Sequence, residues 1–448
     1  MASAFVVKSN DYLQSVYERS NLTRDQFFVW VTQELRPKSP LYNIAAAFTF
    51  RCELNPQHVS NAFQTLVNST DALRTTIVQK DRVPRQSVVD HIEYPIEFLD
   101  FSSFSDAEAR LQTWLHESSQ KLFNLEERLF ESVLIKVGED HFVWYVKLHH
   151  LIADCWTMLL LLEQLTELYR CSVNGHLSQV INLPSFQDYV SEERSSYCCW
   201  PTTFDTKTEQ GMRTIDPVIF YGKVPNRRNL RVHRISSSLG SVRTKQLKAH
   251  SSGHHTNSYG INQSTVAILL AALSLYIYRA SGNKTVLVGV PFHNRRTHAH
   301  KNTVGLFVKV LPVKVELEKN ETFSSLVRKV KRQCVKALRN ASSGIDKTFY
   351  SDPYNVILNY LHHTSRYAPN FDGKPIECDW IHTGEGNNTL ALHVQDFDKS
   401  GSLTFDFDFN VDIFDQKKQT RMIRQYFETL EDFLLEAHHE RFLHNLAY

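Results

Sequence analysis

The chain has 448 residues, room for two or three domains at roughly 150 residues each. Hydrophobic residues make up 42%, aromatic 12% and charged 22%, an ordinary globular composition that can bury a core without disulfide or metal staples. Gly is scarce at 15 residues, which excludes fibrous and low-complexity architectures, and the net charge of +2 lacks the basic surplus of a protein built around a nucleic-acid backbone.

Helical periods and strand alternation interleave along the chain. Asp25 to Leu35 reads as a helix, broken by Arg36-Pro37-Lys38-Ser39-Pro40. Tyr42 to Cys52 reads as a strand. Pro56 to Ser69 places Val59, Phe63, Leu66 and Val67 at helical spacing, and Asp106 to Gln120 is a further helix. Arg128 to Val137 and His141 to Leu148 are strand-like, and Gly138-Glu139-Asp140 between them is a hairpin signal. Cys155 to Arg170 is a helix with a Leu-rich face. Glu192 to Leu230 shows no steady period and reads as a crossover. The pattern then restarts. Val266 to Tyr278 and Phe323 to Leu338 are helices, and the basic knot Arg328–Arg332 falls on the solvated face of the second. Thr285 to Val290 is a buried strand, Thr303 to Val315 is strand-rich, Asn355 to Leu361 and Ser402 to Asn410 are strands, and Asp415 to Glu436 is a closing helix. Both halves share a rough order of helices and strands. The expected division is residues 1–191, a crossover at 192–230, and residues 231–448.

The 7 cysteines are odd in number and match no zinc or redox spacing. Free thiols in a reducing cytosol are expected. The N-terminal apolar stretch is too short for a signal peptide, and no apolar run approaches the roughly 18–20 residues of a membrane span. No nucleic-acid or membrane partner is expected. The N-x-S/T sequons are read as chance.

One constellation carries chemistry: His149-His150-Leu151-Ile152-Ala153-Asp154, where a strand ends and a helix begins. Adjacent strand residues face opposite ways, so the two imidazoles cannot easily share a metal. One should enter a cavity and the other the packing. A histidine near neutrality suits a general base or proton shuttle. Asp154 suits helix capping or a buried pair with an Arg.

The segment HHLIADCWT resembles the HHxxxDGxS active-site motif of the condensation-domain superfamily, which includes the condensation and epimerisation domains of nonribosomal peptide synthetases and related acyltransferases. Further segments resemble that family's motifs in order: Leu22 to Trp30 followed by Pro40 to Ile44; Asp71 to Thr76; Ser185 to Tyr189; Val288 to Pro291 with Asn294-Arg295 and Val304 to Val308; and Asn355 to Tyr360. The likeness spans about residues 20 to 440.

The resemblance implies an α/β (α+β) fold of two lobes, each like chloramphenicol acetyltransferase, forming a V around a substrate tunnel. It implies a monomer that holds no cofactor and takes thioesters on phosphopantetheine arms of donor and acceptor carrier proteins, or on CoA, beside adenylation or polyketide synthase modules. The expected reaction joins an acyl or aminoacyl donor to an amine, forming an amide in nonribosomal peptide or hybrid polyketide–peptide biosynthesis. A stand-alone ester-forming acyltransferase and a non-catalytic gatekeeping module are the alternatives, with epimerisation a minor one. His150 matches the acting imidazole and His149 is structural. Asp154 holds the loop through an Arg, with Arg295 preferred over Arg74. Gly305, Asn359 and Tyr360 are tunnel residues, although a strand Asn making only backbone bonds is the alternative for Asn359. Trp156 borders the tunnel or is a core aromatic, and His293 is a further tunnel candidate.

Three departures stand out. Cys155 takes the position of the motif's Gly, where a Cβ is expected to crowd the site or force a different backbone; its thiol is a minor nucleophile candidate. Lys309 stands where the family has Asn. Phe292 to Thr297 is also uncommon in form. Gly384 to Asn388 fails both nucleotide-loop patterns and reads as a bridging loop between the halves. His438, His439 and His444 read as a solvated helix face rather than a metal cluster. No length remains for an adenylation or carrier domain, so thioesters are expected from other proteins.

Overall fold

A computed structural model describes residues 12–177, 183–198, 215–224, 226, 229–251, 263–318, 321–341, 354–361, 370–395 and 401–434. Cys199, Trp200, Pro201 and the histidines at 438, 439 and 444 lie outside the described residues. In chain order the strands are β1 (Asn43–Phe50), β2 (Thr75–Lys80), β3 (Val83–Val88), β4 (Glu97–Asp100), β5 (Phe130–Gly138), β6 (His141–His149), β7 (Val232–Ser238), β8 (Thr285–Phe292), β9 (Lys309–Glu316), β10 (Val356–Leu361), β11 (Asn370–Phe371), β12 (Lys374–Pro375), β13 (Glu377–Ile381), β14 (Leu390–Gln395) and β15 (Thr404–Asn410).

They form a five-stranded sheet in the order β13-β1-β6-β5-β4 and a six-stranded sheet in the order β7-β15-β14-β10-β8-β9, with two short ribbons, β2-β3 and β11-β12. Pairing in the first sheet is antiparallel except for β4 with β5. In the second, β10 runs parallel to both β14 and β8. Neither sheet closes into a barrel.

Helices cover these sheets for local reasons legible in the chain. Helix Pro56–Asn68 starts on the Asn55 side-chain cap with Pro in its first turn, and buries Val59, Ala62, Phe63, Leu66 and Val67 along one face. Helix Arg24–Leu35 starts on a reciprocal capping box between Thr23 and Gln26. Helix Gln263–Ser281 is the core helix of the second sheet. Its segment Ser264–Ser281 is long and apolar enough to cross a membrane by length and composition, which corrects the reading that no run approaches a span; 72% of it is buried in the fold.

Each sheet has its own apolar core. The chain nevertheless crosses between them more than once. Val304, Leu306 and Phe307 belong to the first core although the strands around them are in the second sheet, and Phe371, Ile376 and β13 follow the same course. Of the crossover read at Glu192 to Leu230, the described residues include the end of helix Phe186–Cys198, and Val218 and Phe220, which are buried in the second core.

The strand expected at Thr303 to Val315 begins only at Lys309. The apolar residues before it cannot join a ladder, because the N–H groups of Phe307 and Val308 donate to Asp154 and the carbonyls of Thr303 and Gly305 accept from Arg295. Gly305, expected in the tunnel, instead lies under the Phe186 ring, where a Cβ would collide with the aromatic carbons. Gly305→Ala should therefore lower stability by about 1–3 kcal/mol through overpacking. Denaturant unfolding of the two proteins checks this, with an unchanged midpoint as the contrary result.

Candidate functional site

Strand β6 pairs with β1 so that His149 lies opposite Asn43. The His150 N–H donates to the Tyr42 carbonyl at 2.8 Å, carrying the pairing one residue further before the chain turns. Gln26, from the capping box, donates its side-chain N–H to the Leu151 carbonyl at 2.9 Å and so holds the turn from outside. Helix Cys155–Val173 then begins on the Asp154 cap.

Asp154 is 2% exposed and Arg295 is fully buried. Asp154 Oδ1 accepts from the Thr157 N–H at 3.0 Å and from Arg295 Nη2 at 2.9 Å, while Oδ2 accepts from the N–H groups of Phe307 and Val308 at 3.0 and 3.2 Å. Arg295 also donates to the carbonyls of His300, Thr303 and Gly305, and its guanidinium lies 4.1 Å from the Phe307 ring centroid. Burial alone would raise the Asp154 pKa; the Arg295 charge and the donated N–H groups outweigh it and hold the carboxyl below its ordinary value. Arg74, the other candidate partner, donates to the carbonyls of Val89 and Asp90 instead, so it pins the end of β3 and does not reach Asp154.

His149 is buried, with Nδ1 accepting from the Leu151 N–H at 3.2 Å and Nε2 facing Gln33 Oε1 at 3.4 Å. Burial, and then the neighbouring His150, push its pKa down to about 3. His150 faces the other way, into a cavity of about 360 Å³. Its Nδ1–H donates to the Ala153 carbonyl at 3.0 Å, which leaves the Nε2 lone pair free for a ligand. Desolvation lowers the His150 pKa more than Asp154 and the Ala153 carbonyl raise it, so the ring is neutral at neutral pH.

The cavity lies between the two sheets. Asp25, Tyr42, His150 and Cys155 line it from one side, and Asn359 and Asp408 are among those lining it from the other. The backbone at Cys155 is not in the left-handed region, so its Cβ forces no strained φ, and its side chain forms part of the cavity wall. Burial and the Asp154 charge raise its thiol to about 12, which makes it a poor nucleophile. Lys309 pairs with Glu193 at 2.9 Å and Asp25 at 3.6 Å, tying β9 to the helices of the first half. Trp156, His293, Gly305 and Tyr360 are absent from the cavity lining. Trp156 packs on His293 with centroids 5.1 Å apart and the rings inclined at 45°, and donates its indole N–H to the Lys301 carbonyl at 3.0 Å. Tyr360 packs against the second core.

The wall opposite His150 holds a polar network that no sequence motif singled out. Arg234 grips Asp408 with two hydrogen bonds of 2.7 and 2.8 Å. His382 and His393 bring Nε2 to 3.4 and 3.3 Å from Asp408 Oδ2. Burial raises the Asp408 pKa, but Arg234 and the two imidazoles drive it well below the ordinary carboxylate range. Next to it, Asp406 accepts from the Ser236 hydroxyl at 2.6 Å and from Gln395 Nε2 at 3.0 Å. The signal was present in Phe405-Asp406-Phe407-Asp408-Phe409, where strict alternation puts the rings in the core and the acids on the opposite face. Among the described residues, no group of three or more His, Cys, Asp or Glu is placed to hold a metal.

The family model for the condensation domain matches residues 17–442. One chain of the plipastatin synthase of Bacillus subtilis (strain 168) is 23% identical, over 93% of this chain and 16% of that protein. Bacitracin synthase 3 of Bacillus licheniformis is 22% identical, over 94% of this chain and 6% of that protein. The chain thus spans only a small part of the curated relatives it matches. Two solved structures share the fold: the first condensation domain of the calcium-dependent antibiotic synthetase (TM-score 0.79, 19% identity, 95% of this chain and 98% of that one), and a variant starter condensation domain of rhizomide synthetase in complex with C8-CoA and Leu-SNAC (TM-score 0.78, 18% identity, 95% and 96%).

Removing Arg295 leaves Asp154 buried without its counter-ion. Arg295→Ala should therefore lose about 3–5 kcal/mol of stability. Because the folded pKa of Asp154 is depressed, its contribution is full above the unfolded carboxylate value of about 3.9 and is lost as pH falls toward the folded one. Asp154→Asn should accordingly show a flatter fall in stability over the acid range than the wild type. Unfolding midpoints across that range check both variants, and parallel pH profiles would contradict the assignment.

Proposed function

This chain belongs to the condensation domain family, and from that membership we propose that it joins a carrier-bound acyl or aminoacyl thioester to an amine, forming an amide in nonribosomal peptide biosynthesis. The observation that carries the reading is the neutral His150, with its free Nε2 turned into a cavity between two sheets.

In the proposed reaction the acceptor amine attacks the thioester carbonyl carbon. A C–N bond forms and the C–S bond breaks. The proton lost from nitrogen passes to His150 Nε2 and on to the departing thiolate, which leaves as a thiol. His150 also orients the amine, and holding both reactants at attack distance supplies much of the rate. Asp154 and Arg295 touch neither reactant; they are positioning residues that set the loop bearing His150. His149 packs the loop from behind, and Asn359 lines the far side of the cavity.

We assign the two sheets to two lobes, with the reaction between them and thioesters arriving from separate carrier domains. The relatives are peptide synthases of several times this length, which supports carrier and adenylation partners. The described cysteines Cys52, Cys155, Cys171, Cys334 and Cys378 are free thiols, which fits a reducing cytosol. The backbone at Cys155 lies outside the left-handed region, which speaks against one of the two obstacles expected there, while its side chain lines the cavity.

The test is to load a carrier protein with an acyl donor, add aminoacyl acceptors and follow amide product by intact mass. His150→Ala should lose at least about a hundredfold in kcat/KM; full activity in that variant would sink the assignment. The wild-type acid limb should fall below the ordinary histidine value of 6.5, because the His150 pKa is lowered and its base form persists to more acid pH. An acid limb above that value would contradict the burial argument. Cys155→Ala should retain amide formation within about threefold if the thiol takes no part in bond making.

A further inference from the structure

The wall facing His150 holds two buried carboxylates, Asp406 and Asp408. Arg234 is committed to Asp408 through both hydrogen bonds. His382 and His393 also turn Nε2 toward Asp408, with the Gly384 N–H donating to His382 Nδ1 at 2.9 Å and the Asn359 amide nitrogen 3.2 Å from His393 Nδ1. That leaves Asp406. It is 6% exposed, lines the cavity, and has hydrogen bonds from Ser236 and Gln395; among the described residues no cation lies within 4 Å of it, and Arg234, held by Asp408, acts on it only at longer range. Gln395 lines the same cavity, and its Oε1 is buried without a donor. Of the other acids on the cavity wall, Asp25 faces Lys309, and Glu385 is only partly buried and accepts from the Ser39 hydroxyl.

A buried carboxylate with no cation in contact, beside a buried acceptor atom without a donor, is an unfavourable pairing. One kind of group relieves both deficits: a cation bearing N–H donors. We propose that Asp406 and Gln395 form a specificity subsite for the protonated amine or guanidine side chain of a basic aminoacyl substrate. The inference rests on reading this cavity as the place of amide formation. A carboxylate side chain is repelled there, and an aliphatic one leaves Asp406 unpaired, so discrimination is by charge rather than size.

The test uses N-acetylcysteamine thioesters of lysine, norleucine and glutamate. Each is offered as acceptor and, after N-acylation, as donor. Amide formation gives kcat/KM, and calorimetry gives binding. In one of the two roles the lysyl compound should exceed the norleucyl compound by at least about tenfold, with the glutamyl compound lowest. Asp406→Asn should collapse that ratio. No cationic preference in either role, or a preference that survives Asp406→Asn, would overturn the subsite. Where Asp406→Asn does not fold, the wild-type ratio decides. Turnover without charge preference removes the subsite and leaves the amide-forming reading intact. Tighter binding of the lysyl compound with no turnover of any thioester does the reverse.

Discussion

The buried pair of Asp154 and Arg295 is the constraint on which the site depends. Its two carboxylate oxygens and the guanidinium take up backbone groups from the start of helix Cys155–Val173 and from the segment between β8 and β9. Its last part, Thr303 to Val308, is apolar enough to be a strand, yet the ion pair consumes its hydrogen-bonding groups and holds it as irregular chain against the first core. The cost of burying two charges is met by dense hydrogen bonding on both partners. The result is that one loop, one helix start and one interlobe segment have a single common geometry, and His150 inherits its aim from it.

The cavity is chemically asymmetric. On one side stands a neutral imidazole whose tautomer is set by the Ala153 carbonyl. On the other stands a set of acids braced by Arg234, His382 and His393. The first side suits a reaction common to many substrates. The second is built on strands brought into register by the second sheet: Asp408 lies opposite Arg234, and Asp406 lies opposite both Ser236 and His393.

Several scattered motifs turn out to support the same loop. Gln26 holds the Leu151 carbonyl, Tyr42 accepts from His150, and Asp71 caps the turn into helix Phe186–Cys198 through the N–H groups of Phe186 and Gln187. Phe186 in turn packs over Gly305, beside the carbonyl that Arg295 holds. Their order in the chain was visible; their convergence was not. Trp156 packs against the first core, the alternative to a tunnel position, and His293 and Tyr360, expected in the tunnel, pack elsewhere because neighbours in sequence on a helix or strand point to different faces.

The sequence by itself determined most of the elements and the division of the His pair, while the choice of His150 over His149 came from the resemblance to a family motif. Local rules suffice for the first part: Asn55 and Thr23 cap helices, periods of 3.6 and 2 mark faces, and an adjacent His pair on a strand must split between packing and cavity. It also displayed the alternation of Phe405 through Phe409, which separates rings from acids. What it could not display is what the acidic face meets. Alternation is the same whether that face looks on water or on a second sheet. Only the tertiary structure decided that Asp406 and Asp408 are buried against a cavity, because the chain crosses between two sheets and encloses that face between them.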